Sequence, residues 1–151
     1  MRNAIVVLSV VMAFFFSFAG EAGVTLPSYT IEGLGEGVHD SFKPLLGAWI
    51  GTWDPAPEAA LIVRKISNVG GKLTASIIYA WDAYSVRGSS SAGGSYEKEA
   101  EVFLKEGYPA ISFTSPKGGE FKFRLKPDGT LYGIRTFPGG GLYDALLRKV
   151  N

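Results

Sequence analysis

From Leu45 onward the chain is written in short segments of alternating apolar and polar residues, punctuated by glycine turns. The cleanest segment is "EFKFRLK", in which Phe121, Phe123 and Leu125 alternate with Lys122, Arg124 and Lys126. Successive side chains of a strand point to opposite faces, so such a segment buries one face and wets the other. Strands are expected over Leu46–Trp53, Ala60–Ser67, Lys72–Trp81, Ala100–Lys105, Ala110–Ser115, Glu120–Lys126, Leu131–Phe137 and Leu142–Val150. No segment sustains a helical period, although Tyr96–Glu101 has room for a turn of helix. Twenty glycines, ten phenylalanines and seven tyrosines agree with strands and turns.

The connections sort into two kinds. If the strands run alternately up and down, one end carries "NVGGK", "KEGY" and "KPDGT", all tight glycine turns. The other end carries "DPAPEA", "DAYSVRGSSSAGGSYEKE", "SPKGG" and "FPGGG", which are longer and rich in Pro, Ser and Gly. That asymmetry predicts a cup with a tight floor and a loose mouth. The fold expected is all-β, a single antiparallel up-and-down β-barrel of about eight strands, because closure removes exposed sheet edges. An open two-sheet sandwich is the alternative. An outer-membrane barrel is disfavoured, since Lys and Arg recur on the strand face that lipid would have to wet.

The first residues, "MRNAIVVLSVVMAFFFSFAGEAG", have a basic Arg2, an apolar run and then small residues. This is the order of a secretory signal peptide, assigned to residues 1–22, with an uncleaved anchor as the competing reading. After cleavage no integral membrane domain is expected, and the location implied is the periplasm or the outside of a bacterial cell. Residues 23–43 follow as an irregular glycine-rich arm, and residues 44–151 form the barrel domain. His39 lies in the arm and reads as solvated.

Composition removes several functions. With 15 basic and 14 acidic residues no strong field favours nucleic acid. Cysteine is absent and histidine occurs once, which excludes disulfides, thiolate zinc sites and His-rich metal centres. No cofactor is implied. Catalytic constellations are also lacking: Ser90 in "GSSSAG" does not sit in a nucleophile elbow, and no second histidine completes a triad. Glu97, Glu99 and Glu101 alternate along one strand and read as a solvated edge rather than a carboxylate site. Lys122, Arg124 and Lys126 form a basic stripe, extended by Arg64 and Lys65 if those strands are neighbours.

The segment "GAWIGTW", Gly47–Trp53, places two indoles on one strand face. Gly47-Ala48-Trp49, taken with Arg148 in "ALLRKV", resembles the lipocalin-like (calycin) barrels. The resemblance implies that Trp49 plugs the closed end while Arg148 on the last strand packs over its indole, with Asp40–Pro44 strapping that end. "GTW" is similar to the first strand of avidin-like barrels, without their polar biotin-contacting set. The likeness is closest to exported bacterial domains of unknown function that begin with "GxWxGxW" and end with an "ALLR" strand.

Trp53 lies further toward the mouth, and Gly51 leaves space between the two indoles. Leu73, Ala75, Ile77, Tyr79 and Trp81 share one face of their strand. Trp53, Tyr79, Trp81, Tyr84, Phe121 and Phe123 are therefore the candidate binding residues, forming an aromatic mouth for a small hydrophobic molecule gated by the Tyr84–Tyr96 loop. The alternative is a filled barrel serving as a protein-interaction module. Phe103 between Glu101 and Lys105, and the two apolar faces of the second strand (Leu61 and Val63; Ile62 and Ile66), would then cover a partner such as a second copy.

Overall fold

The computed structural model describes residues 23–86 and 88–151; the expected signal peptide lies outside the described residues. In chain order the strands are β1 (Gly33–Leu34), β2 (Gly47–Trp53), β3 (Glu58–Val69), β4 (Lys72–Trp81), β5 (Tyr84–Val86), β6 (Ser89–Ser91), β7 (Gly94–Lys105), β8 (Tyr108–Thr114), β9 (Glu120–Leu125), β10 (Leu131–Thr136) and β11 (Leu142–Val150). A short 3-10 helix, Asp40–Leu45, precedes β2.

Strand pairing runs β3-β2-β11-β10-β9-β8-β7-β4, and β4 pairs back onto β3. The result is a closed, all-antiparallel, up-and-down barrel of eight strands. The tight turns at residues 70–71, 106–107 and 126–130 lie at one end. The connections at 54–57, 82–93, 115–119 and 137–141 lie at the other, as the loop asymmetry predicts.

Three features depart from the pattern read off the sequence. The segment Tyr96–Glu101 is strand throughout, because β7 starts at Gly94 and pairs along β4, with Tyr96 opposite Tyr79. The serine-rich connection is not open loop: β5 and β6 form a hairpin of their own over the mouth. In β3 the register shifts between Val63 and Lys65, leaving Arg64 unpaired as a bulge. One extra residue flips the alternation. Ile66 therefore turns inward to join Leu61 and Val63 in the core, instead of sharing the outer face with Ile62.

The arm accounts for that outer face. Running parallel to β3, it donates from the Glu32 amide to the Arg64 carbonyl and pairs Gly33 and Leu34 with Lys65 and Ile66. Leu26 packs on Ala48, Ile62 and Ile78, so part of the apolar surface expected to meet a partner is covered by the chain itself. Phe103 stands opposite Ala110, half-buried on the outside. The basic residues of β9 and the Arg64–Lys65 pair do not combine, because β3 and β9 lie on opposite sides of the ring.

The lower interior is solid. Leu45, Trp49, Leu61, Ile66, Ile77, Ile111, Leu131 and Leu147 are all excluded from water. The 3-10 helix closes this end by burying Phe42 and Leu45. The Trp49 indole N–H donates to the Leu45 carbonyl at 2.9 Å, so the plug and the cap are joined. Arg148 does not cover this indole. On β11 the inward positions are Ala145 and Leu147, with Lys149 continuing the row opposite Trp49, while Arg148 pairs with Ile50 and faces solvent. It is Lys149 whose ammonium lies 4.9 Å from the Trp49 ring centre and donates to the Pro44 carbonyl at 2.7 Å. Gly47, with φ at +118°, begins the strand beside the Lys149 stem.

Candidate functional site

Four residues of extended chain, about 14 Å at ~3.4 Å per residue, separate Trp49 from Trp53 and carry the second indole toward the mouth. Gly51, between them, leaves no hollow. A Cβ there would lie 2.3 Å from the Leu146 carbonyl oxygen, so the glycine permits close approach of β11. Gly133 on β10 is the position that makes room for Trp53: a Cβ would lie 2.6 Å from the Phe123 ring and 3.1 Å from the indole.

Trp53 is itself fully buried. Its ring meets Phe121 edge-on and Phe123 at a tilt, each at 5.8 Å between centres, and its N–H donates to the Tyr79 hydroxyl at 2.8 Å. Above this layer Tyr79 contacts Phe121 (4.9 Å), Tyr96 (5.6 Å) and Trp81 (6.1 Å, stacked). Phe113 stacks on Phe121 at 5.1 Å with the rings nearly parallel. Trp81 donates its N–H to the Ala92 carbonyl at 2.9 Å, which ties the chain beyond β6 to the barrel rim.

Over these rings opens a cavity of about 160 Å3. Tyr79, Trp81, Tyr84, Tyr96, Phe121 and Phe137 form its walls, with Ser115–Lys117 on one side of the rim and Pro57 and Arg135 on the other. Of the residues expected at the mouth, Tyr79, Trp81, Tyr84 and Phe121 border the cavity. Trp53 and Phe123 lie beneath it and support its floor rather than line it. Tyr84 reaches the cavity from the β5–β6 hairpin, so that hairpin forms part of the wall.

Two polar residues at this site escaped the sequence reading. Arg135 is 7% exposed. Its guanidinium carbon lies 4.8 Å from the centres of both the Trp53 and Tyr143 rings and 5.4 Å from that of Phe137. Nη2 donates to the Ala56 carbonyl at 2.7 Å, fastening β10 to the β2–β3 connection. Tyr96 is the other, its hydroxyl buried beside the cavity without a partner among the described residues. Alternation held the signal for both. Leu131, Gly133 and Arg135 share the inward face of β10, and Tyr96 shares its face with Ala100 and Val102 once β7 is extended to Gly94.

Burial governs the protonation of these groups. It pushes the Tyr79 phenol up to about 12, against the lowering effects of the Trp53 hydrogen bond and the Arg135 charge. Tyr96 is likewise raised by burial, and Arg135 is lowered by it. Both phenols are thus neutral donors at physiological pH, and the guanidinium stays charged. The site offers aromatic surface, three tyrosines (Tyr79, Tyr84 and Tyr96) and two cations, Arg135 buried and Lys117 at the rim. His39, by contrast, lies at the far end, where its Nδ1 accepts from the Ser41 amide ahead of the 3-10 helix. Glu97, Glu99 and Glu101 are exposed on the outside of β7, with Glu97 paired to Arg64. No protein-family profile matches the chain, and no curated protein is significantly similar to it.

Proposed function

We propose that this chain is an exported, lipocalin-like barrel that holds a small hydrophobic or aromatic molecule in its mouth, binding rather than transforming it. The observation that carries the reading is the cavity of about 160 Å3 walled by six aromatic side chains over a solid core. An apolar cavity of ~150 Å3 is large enough to take up benzene. A single-ring molecule therefore suits the space, and stacking on Trp81 or Tyr79 supplies its contact area. The filled lower half confines such a ligand to the mouth. Lipocalin-like character is supported by the meander itself and by the tryptophan floor closed by a 3-10 helix. Export is supported by the basic–apolar–small order of the first 22 residues.

Saturation-transfer NMR with toluene and p-cresol tests the reading. Saturable transfer that Trp81→Ala weakens severalfold is the expected result. Absence of transfer up to the solubility limit of both compounds would overturn it.

A further inference from the structure

We propose that the ligand of this mouth is an anion, a small planar body carrying a carboxylate, and that Arg135 is its counter-ion. The inference rests on the ligand-binding reading above and names the class of molecule that site takes.

Arg135 differs from the other cations in its burial, as the one Lys or Arg among the described residues that is excluded from water. Arg64, Lys65, Lys122, Arg124 and Lys126 each pair with a carboxylate on the outer surface (Glu97, Glu32, Glu120, Glu106 and Asp128, respectively). Arg135 is the buried one, and among the described residues no carboxylate lies within ion-pairing distance of it. Buried charges are ordinarily paired, because removing an ion from water is costly without a partner. The rings of Trp53, Tyr143 and Phe137 occupy its faces, and the Ala56 carbonyl takes one nitrogen. Nε remains buried with its N–H unanswered.

Arg135 borders the aromatic cavity and also a neighbouring hollow of about 480 Å3, sharing both with Tyr84 and Phe137. A ring seated against Tyr79 and Trp81 thus has a guanidinium at its edge. The planar guanidinium fork suits a carboxylate, which accepts more than one N–H at once. The Tyr96 ring forms part of the same wall, and Lys117 adds positive charge at the rim. Asp54 borders the outer hollow, the one carboxylate among the residues lining either space.

Calorimetric titration of the protein with benzoate, benzyl alcohol and benzylamine in low-chloride buffer at neutral pH separates ring from charge. Benzoate is expected to bind about ten- to hundredfold more tightly than benzyl alcohol, the range of a charge-assisted hydrogen bond, with benzylamine weakest. Arg135→Met is expected to erase the preference for benzoate over benzyl alcohol. Equal affinity for benzoate and benzyl alcohol would overturn the anion assignment and leave the aromatic site standing. If none of the three binds, both readings fall. A benzoate preference that survives Arg135→Met removes Arg135 from the role. The wild-type comparison needs no variant, and Arg135→Lys keeps the charge should the methionine variant not fold.

Discussion

Gly133 shows how a single residue shapes the mouth. Its missing side chain is the space into which the Phe123 and Trp53 rings lean. Gly133→Ala should therefore lower stability by about 1–3 kcal/mol, the usual range for overpacking a core, as read by urea denaturation. The phenols give a second residue-scale outcome. An unfolded tyrosine ionises near 10, whereas folded Tyr79 holds its proton to about 12. Above pH 10 the unfolded state releases its proton first, so this contribution is complete below pH 10 and is lost as pH rises toward 12. Thermal melts across that window should show falling stability, and Tyr79→Phe should flatten the decline. Arg135 marks the limit of what was legible at this scale. Its place on the inward face of β10 follows from plain alternation, yet an arginine between Ile134 and Thr136 reads as surface unless parity is carried through from Leu131.

Parity also decides the outcome at the scale of elements. The strand order and loop asymmetry were written in the pattern of Leu45–Val150, while the tryptophan floor followed from the resemblance carried by Gly47-Ala48-Trp49. The basic residue over Trp49 was not assigned correctly, because Arg148 and Lys149 are adjacent and only the register of β11 against β2 separates them. Lys149→Met is expected to lower stability by about 0.5–1 kcal/mol, the scale of an exposed cation–π contact. Arg148→Ala should stay within about 0.5 kcal/mol of wild type, and paired denaturation curves compare the two. The reverse order would restore Arg148 to the floor. The bulge at Arg64 was hidden for a different reason: a single inserted residue has no composition signal, and its effect on Ile66 emerges only through pairing with β4. The β5–β6 hairpin was hidden by a Ser- and Gly-rich composition with weak strand preference.

Taken as a whole, the molecule divides its interior into a solid lower core and an aromatic hollow above it. The three indoles mark the division: Trp49 in the floor, Trp53 beneath the cavity and Trp81 in its wall. Their N–H groups donate to three different acceptors, the Leu45 carbonyl, the Tyr79 hydroxyl and the Ala92 carbonyl. Titrating p-cresol into the labelled protein while following the three indole N–H resonances tests the hollow mouth most directly. The Trp81 signal should move most, Trp53 should follow through Tyr79, and Trp49 should hold still. Three stationary signals, or a Trp49 shift as large as that of Trp81, would contradict a ligand site confined to the mouth.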